Sequence, residues 1–317
     1  MGRFTTALVA ASLVSTGAAA QEYTLIDIGT LGGPGSYAAA VSNDGTVVGC
    51  ADVLPSGAHA FAWKNGVMRD LGLASEATEG SSCALAVNER GVIAGRSATR
   101  EIVIWNGRGV ERLGVQGEVG GINSGGVLVG SYETGGLSRA FVYRNGAITP
   151  IGAEGEYSHA AAINSRDQVA GSANGRAFIY ESGAIRFLDA TAARDLNDVG
   201  VVVGQASSAY GQPFAFVYRG GAIEALAAPS YSTAKSVNLR GQVVGSGEGV
   251  YGWVVDNGRY TRLADLPAMA QKGWRHPEPT GINDRGWIVG TASDADGNLR
   301  AFLLVPRQLT KPLRRLR

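Results

Sequence analysis

The chain has 317 residues, with 28 Lys and Arg against 27 Asp and Glu, 47 Gly, and a hydrophobic fraction of 45%. This near-zero net charge argues against nucleic acid or an anionic membrane as the main partner. The glycine content is too high for a helical protein and the hydrophobic fraction too high for a disordered one. We therefore expect a folded chain that buries a core, long enough for one large all-β domain or two average ones.

Residues 1–20 have the pattern of a secretory signal peptide. A short basic start with Arg3 precedes an apolar stretch over residues 4–14, and Ala18-Ala19-Ala20 forms a small-residue cleavage site. The apolar stretch is shorter than the roughly twenty residues that a membrane-spanning helix needs, and no later stretch approaches that length. The sequence predicts an exported protein, secreted or periplasmic, that does not insert into a membrane.

A sevenfold repeat dominates the rest of the sequence. In each unit an Asn or Ser is followed seven positions later by Gly, and the units recur about every 40 residues. The pairs are Ser42/Gly49, Asn88/Gly95, Asn123/Gly130, Asn164/Gly171, Asn197/Gly204, Asn238/Gly245 and Asn283/Gly290. Asn-x-x-Gly is typical of a tight turn, because the Asn side chain bonds to the backbone ahead and Gly accepts the left-handed conformation. We interpret these asparagines as turn residues and not as a catalytic set.

Each unit contains four short segments that read as β-strands. They are four to six residues long, rich in β-branched and aromatic residues, and bounded by turn residues. The first carries an Ala-Phe motif, as at Ala60-Phe61, and is followed by an Asn-Gly pair such as Asn65-Gly66. Asn-Gly between two apolar segments predicts a β-hairpin.

The phase of the repeat predicts a closed ring. Residues 23–28 read as a second strand with no first strand before them, and the missing first strand appears at Ala301 to Val305. Four-stranded units of about 40 residues match propeller blades. We predict an all-β, seven-bladed β-propeller over residues 21–306, closed by a C-terminal strand that joins the N-terminal blade. The signal peptide (1–20) precedes it and a basic tail (307–317) follows it.

Residues 59–72, from His59 to Gly72, and residues 27–33 with Ser36, Ala38 and Gly49 resemble the HAF repeat of probable extracellular repeat proteins. The likeness covers nearly all of residues 23–305 and is strongest in the first two units. Later units match the motif less closely, since only His59 keeps the His of the motif. The resemblance implies exported repeat domains and implies no defined chemistry.

Binding residues are expected on the face that carries loops of variable length, where a rigid scaffold presents adaptable loops. These loops are 73–82, 114–118, 152–158, 227–232 and 264–280, with interblade segments 51–58, 131–138, 205–213 and 291–299. Tyr37, Tyr157 and Tyr231 lie in or beside them, outside the repeated aromatic positions. Such rings stack on sugars or fill a protein partner's pockets. The alternative is that they pack between neighbouring blades.

The longest departure from the repeat, residues 265–280, is the best single candidate for a site. It contains the aromatic ring of Trp274, the cationic side chain of Arg275 and the titratable side chain of His276. The alternative is an irregular blade-edge insertion without chemistry.

No catalytic residue, metal ligand set or cofactor motif is predicted. The three histidines lack zinc-ligand spacing, and residues 294–298 lack the glycine and distal Glu of a calcium loop. Acid pairs for glycoside cleavage stay open, because sequence spacing does not report which carboxylates meet. Cys50 and Cys83 are level with each other in adjacent blades. They form either a disulfide between blades one and two or two small buried side chains.

These observations predict a monomeric binding or scaffold module that contacts a glycan or protein through its variable loops. The alternative is a propeller-type extracellular enzyme, either a polysaccharide lyase or a glycoside hydrolase, with its site in the central channel or near His276. An enzyme requires several converging titratable groups with perturbed pKa values, whereas a scaffold does not.

Overall fold

The computed structural model describes residues 21–307, and their regular secondary structure is almost entirely antiparallel β-sheet. The all-β prediction is confirmed. The predicted signal peptide, and the predicted basic tail apart from Arg307, lie outside the described residues. Among residues 21–307, no helix has the length and apolar character needed to cross a membrane.

The strands form five four-stranded sheets and one seven-stranded sheet. The seven-stranded sheet consists of two four-stranded units that share one long strand, β9 (Val110–Ile122). Its residues 110–116 pair with β8 and its residues 117–122 pair with β10. We number the resulting four-stranded units 1 to 7 in chain order.

Units 1 to 3 comprise the following strands. Unit 1 contains β2 (Ser36–Val41), β3 (Val47–Asp52), β4 (Ala58–Lys64) and β5 (Val67–Gly72). Unit 2 contains β6 (Cys83–Val87), β7 (Ile93–Arg96), β8 (Glu101–Trp105) and the first part of β9. Unit 3 contains the second part of β9, β10 (Leu128–Thr134), β11 (Leu137–Arg144) and β12 (Ala147–Pro150).

Units 4 to 7 continue the same order. Unit 4 contains β13 (Ser158–Ile163), β14 (Val169–Ala173), β15 (Arg176–Glu181) and β16 (Ala184–Phe187). Unit 5 contains β17 (Ala192–Leu196), β18 (Val202–Ser207), β19 (Pro213–Arg219) and β20 (Ala222–Ala225). Unit 6 contains β21 (Ser232–Val237), β22 (Val243–Gly247), β23 (Val250–Asp256) and β24 (Arg259–Arg262). Unit 7 contains β25 (Arg275–Ile282), β26 (Ile288–Ser293), β27 (Leu299–Pro306) and β1 (Tyr23–Asp27).

Unit 7 is built from both ends of the described chain. Its strand β1 pairs antiparallel with β27, with Tyr23 opposite Pro306 and Asp27 opposite Phe302. The Gln21 side chain adds a hydrogen bond from Nε2 to the Arg307 carbonyl at 3.0 Å. The first strand of the chain thus completes the last sheet, as the phase of the repeat predicts.

The connections differ from the predicted ones in two respects. Segments 51–58, 131–138, 205–213 and 291–299, predicted to link blades, lie within sheets between the second and third strands of one unit. Segment 114–118, predicted to be a loop, is part of β9. The reason is that the Ala-Phe strand pairs with the strand before it, as β4 does with β3, so it stands third in its sheet.

The repeated Asn makes two kinds of contact. In unit 2, Asn88 Oδ1 accepts hydrogen bonds from the backbone N–H groups of Arg90 and Val92 at 3.0 Å, which closes the predicted turn. Its Nδ2 donates to the Asn123 carbonyl of the next unit at 2.9 Å. The same amide-to-carbonyl bond recurs for the pairs Asn123/Asn164, Asn164/Asn197, Asn197/Asn238, Asn238/Asn283 and Asn283/Ser42. These bonds, which turn chemistry alone did not predict, link consecutive units at six of the seven junctions.

Ser42 interrupts this series because it has no amide group. Its hydroxyl donates instead to Asp44 Oδ1 within the same turn, at 2.6 Å. Between units 1 and 2 the Glu89 carboxylate accepts from the Asn43 N–H at 3.1 Å, and Cys50 forms a disulfide with Cys83.

The Gly that lies seven positions after the repeated Asn or Ser is a mid-strand residue, beyond the Asn-x-x-Gly turn. A Cβ atom built on Gly171 would lie 2.2 Å from the His159 carbonyl oxygen and 2.7 Å from Phe178 Cζ. A Cβ atom built on the equivalent glycine of each of the other six units would lie 1.8 to 2.2 Å from a carbonyl oxygen. A side chain does not fit there, because the preceding strand passes too close.

Seven hydrophobic clusters fill the contacts between consecutive units. The cluster between units 1 and 2 contains Ala60 with Ile93, and the one between units 3 and 4 contains Val129 with Phe178. One cluster joins the last unit to the first, with Leu303 of unit 7 beside Phe61 of unit 1. Within residues 21–307, the core is therefore divided among the junctions between sheets.

Candidate functional site

The antiparallel order of each unit sends its connections alternately to two faces. One face, which we call the hairpin face, carries the Asn-x-x-Gly turns and the tight turns such as Asn65-Gly66, whose φ angles are 51° and 87°. The other, the variable face, carries the connections between the second and third strands and those between units. Loop lengths on the variable face differ from unit to unit, as the sequence predicts.

The largest cavity that we describe lies on the variable face, between units 6 and 7, with a volume of about 670 Å³. We call it the variable-face cavity. It is lined by Tyr251, Arg262, Ala264, Ala270, Gly273, Trp274, Arg275, His276 and Ala295. Aromatic and basic side chains share its wall with small residues, and none of the lining residues is acidic.

An aromatic pair stands at this cavity. The rings of Tyr251 and His276 have their centroids 4.2 Å apart with an interplanar angle of 35°. Tyr251 is 44% exposed, so its ring is accessible to a ligand. Arg275, next to His276, is exposed, while Arg262 pairs with Asp265 at 3.1 Å.

Close backbone packing positions this pair. Gly252 follows Tyr251 in β23, and a Cβ on Gly252 would lie 2.3 Å from Pro279 Cδ and 2.4 Å from the Pro277 carbonyl oxygen. The glycine therefore lets the segment after His276 lie against β23. His276 itself has a φ of 53°, a left-handed conformation that non-glycine residues adopt rarely.

Trp274 belongs mainly to the core. It is 7% exposed and packs in the cluster of units 6 and 7 with Met269, Leu266 and Leu263. Met269 and Leu266 belong to or flank the short helix α1 (Pro267–Gln271), which follows a 3₁₀ turn at Leu263–Asp265. The predicted stacking role therefore fits Tyr251 and His276 better than Trp274, whose burial leaves only an edge at the cavity wall.

The structure does not bring the three predicted tyrosines into the variable-face cavity. Tyr37, 40% exposed, lines a separate cavity of about 460 Å³ beside the disulfide, where partial burial raises its pKa. Tyr157 and Tyr231 are 53% and 46% exposed and line neither cavity. Trp274, Arg275 and His276 are thus the predicted site residues that share one cavity.

The disulfide occupies a position that other units use for polar contacts between neighbours. Cys50 stands eight residues after Ser42, and Cys83 five residues before Asn88. At three of the six other junctions the equivalent pairs are bonded: Arg96/Glu118 at 2.5 Å, Ser131/His159 at 3.1 Å and Gln205/Thr233 at 2.8 Å. A covalent bond therefore replaces a hydrogen bond or ion pair at the junction that lacks the Asn amide.

Another cavity, of about 240 Å³, lies among the first strands of all seven units, and we call it the central cavity. Most of its lining consists of small or aliphatic residues, and its ionisable lining residues are Arg194, Asp195 and Lys235. Asp195 is enclosed by three donors, the Val237 and Leu196 N–H groups and the Ser236 hydroxyl, at 2.7 to 2.8 Å. Its burial raises its pKa to about 6.

In the part of the chain that the structure describes, no group of three or more His, Cys, Asp or Glu side chains is arranged to hold a metal ion. The Asp294 segment forms a plain hairpin turn, in which Asp294 Oδ1 accepts from the N–H groups of Asp296 and Asn298 at 2.9 to 3.0 Å.

Comparison with known proteins places the fold among β-propeller-type proteins. The extracellular domain of the putative hybrid two-component system BT4673 from B. thetaiotaomicron aligns over 89% of this chain with a TM-score of 0.57 and 11% identity. This chain covers 39% of that protein's chain.

Two further solved structures also align over most of this chain. An oligogalacturonate lyase in complex with manganese aligns over 90% of this chain and 97% of its own, with a TM-score of 0.53 and 13% identity. The β-propeller domain of the Trilobed protease from Pyrococcus furiosus aligns over 87% of this chain and 99% of its own, with a TM-score of 0.49 and 10% identity. No family profile and no curated protein sequence matches the chain. At these identities the likeness concerns the fold alone.

Sequence reasoning missed Tyr251 and Arg262 in the variable-face cavity and Arg194 in the central cavity. Tyr251 precedes Gly252, which stands where most units have the Ala of the Ala-Phe motif, so the departure from the repeat marked the place. Arg194 lies three residues before Asn197, where four other units have Ala, Leu or Gly. A charged residue at a position that is apolar in units 1 to 4 was the available signal.

Proposed function

We propose that the protein is a closed, seven-bladed β-propeller that serves as an exported binding module and holds an acidic glycan in the variable-face cavity. The seven units are the blades, and unit 7, with strands from both chain ends, closes the ring. Support for closure comes from the junction between units 7 and 1. There Asn283 Nδ2 donates to the Ser42 carbonyl at 2.9 Å and Asn43 Nδ2 donates to Asp284 at 2.7 Å.

The observation that carries the binding proposal is the composition of the variable-face cavity. Tyr251 and His276 present ring surface, on which the apolar face of a sugar stacks. Arg275 supplies a planar guanidinium, which matches a carboxylate in a bidentate manner. No acidic residue lines the cavity, and the nearby Asp265 carboxylate is paired with Arg262, which favours a uronic acid as the ligand.

A glycan fits this geometry better than a protein surface does. A protein partner needs about 800 Å² of contact on each side, mostly on an open patch. The variable-face cavity is instead a concave space of about 670 Å³, within the range of small-ligand sites.

Export and the monomeric state are further parts of the proposal. The pattern of residues 1–20 and the disulfide between Cys50 and Cys83 both favour an oxidising compartment, secreted or periplasmic. The balanced net charge favours neither nucleic acid nor membranes as partners. A monomer is the expected state, since ring closure leaves no long open sheet edge.

The rival function, a polysaccharide lyase or glycoside hydrolase, requires an acid and a base that converge on a substrate. In the central cavity Asp195 is already bound by three donors, and Lys235 is paired with Glu278 at 2.8 Å. In the variable-face cavity His276 stands without a lining carboxylate. We therefore propose binding, and we propose no catalytic residue, metal or cofactor.

The test is a glycan array with the purified protein, followed by calorimetry with oligogalacturonate as a polyuronate probe. We expect binding to uronate-containing glycans, and a loss of at least about tenfold in affinity for His276→Ala and for Arg275→Gln. Tyr210→Ala is the matched control, because Tyr210 is a 93% exposed ring on the same face that does not line the cavity. Equal affinities in the three variants, or no uronate binding by the unmodified protein, would contradict the proposal.

A further inference from the structure

Seven equivalent positions line the central cavity, each three residues before the repeated Asn or Ser. They are occupied by Ala39, Leu85, Gly120, Ala161, Arg194, Lys235 and Thr280. Units 1 to 4 therefore give the cavity an apolar wall, and units 5 to 7 give it a polar wall. The backbone at this position is the same in all seven units, because the pairing of the first and second strands shifts register here in every unit. Only the side chains differ.

Two of the three polar residues are already engaged. Lys235 Nζ is 2.8 Å from Glu278 Oε2, and Thr280 Oγ1 donates to the Ala38 carbonyl at 2.8 Å. Arg194 differs from both. Its side chain is exposed and lines the cavity, and within residues 21–307 it has no hydrogen-bond or ion-pair partner.

The charged neighbours of Arg194 do not substitute for such a partner. The Asp195 carboxylate is occupied by Ser236, Val237 and Leu196 and faces the junction with unit 6. His159 of unit 4 has its pKa lowered to about 4 by burial and, next, by the charge of Arg194, so it is neutral at pH 7. Among the described residues, the Arg194 guanidinium is thus left without a directly bonded acceptor in a cavity of about 240 Å³.

We propose that the central cavity is a second binding site, distinct from the variable-face cavity, in which Arg194 binds the carboxylate of a small organic monoanion. The guanidinium donates two parallel N–H bonds to the two carboxylate oxygens, and the short carbon chain lies against the wall formed by Ala39, Leu85 and Ala161. A monocarboxylate balances one positive charge. A phosphate dianion would leave a surplus negative charge near Asp195 and Glu278, so the cavity disfavours it.

The inference is tested by calorimetric titration of the purified protein with butyrate and, in a parallel arm, with inorganic phosphate. We expect saturable binding of butyrate and at least about tenfold weaker binding of phosphate. Arg194→Gln should weaken butyrate binding by at least about tenfold, since it removes the charge and the paired donors. Arg219→Gln, an exposed residue at the end of β19 on the hairpin face, is the control and should leave binding unchanged.

A second variant tests the site without altering Arg194. Ala161→Leu adds bulk to the apolar wall in unit 4, which neighbours the Arg194 strand of unit 5, and Leu85 shows that a unit accepts leucine at this position. We expect it to weaken butyrate binding as well, while thermal unfolding stays close to that of the unmodified protein. The proposal is overturned if the unmodified protein does not bind butyrate, if phosphate binds as tightly, or if Arg194→Gln and Ala161→Leu both bind as the unmodified protein does.

Discussion

Gly171 and Gly175 show how the same residue type has different physical roles a few positions apart. Gly175 has a φ of 75° and nothing within 4 Å of the place where a Cβ would stand. Gly171 has an ordinary strand conformation, but a Cβ there would meet the His159 carbonyl oxygen at 2.2 Å and the Phe178 ring at 2.7 Å. Its requirement for glycine comes from the neighbouring strand and not from its own backbone angles.

Gly171→Ala should therefore destabilise the protein more than Gly175→Ala. Overpacking against a carbonyl and a buried ring costs about 2–3 kcal/mol in the free energy of unfolding. The left-handed conformation of an alanine at position 175 costs about 1 kcal/mol. Urea denaturation of the two variants checks the order. An equal loss, or a larger one for Gly175→Ala, would show that the strand contact at Gly171 relaxes without cost.

At the scale of strands and units, the junction between units 1 and 2 differs from the other six. Each of those six has the amide-to-carbonyl bond between repeated positions, whereas Ser42 has no amide to offer to Asn88. The same junction carries the disulfide between β3 and β6. The covalent link stands where the repeated hydrogen bond is missing.

Reduction of the disulfide should lower the free energy of unfolding by about 2–4 kcal/mol. The bond joins residues 33 positions apart, and breaking it increases the conformational entropy of the unfolded chain. In the reduced protein, Ser42→Asn should recover about 1 kcal/mol by restoring the bond to the Asn88 carbonyl. Urea denaturation with and without reductant measures both effects. Unchanged stability on reduction would mean that the bond does not hold this junction. No gain from Ser42→Asn would mean that the missing amide does not matter there.

For the molecule as a whole, the sequence was sufficient to predict the four-stranded units and the pairing of the two chain ends, because turn residues such as Asn65-Gly66 and the phase at Tyr23 depend on local chemistry. The bond from Asn88 to Asn123 was not predictable, since it depends on the distance between units. The same holds for the site. The loop with His276 was visible as an irregularity, but its partner Tyr251 comes from another strand, and the burial of Trp274 follows from packing against α1.

We propose that the two faces have different roles, with structural bonds on the hairpin face and ligand binding on the variable face. Hydrogen–deuterium exchange of the purified protein with and without oligogalacturonate tests it most directly. We predict slower exchange on binding in residues 248–252 and 262–276, and no change at the turns that follow Asn88, Asn164 and Asn238. Protection centred on those turns, or the absence of any protection at the variable-face cavity, would contradict this account.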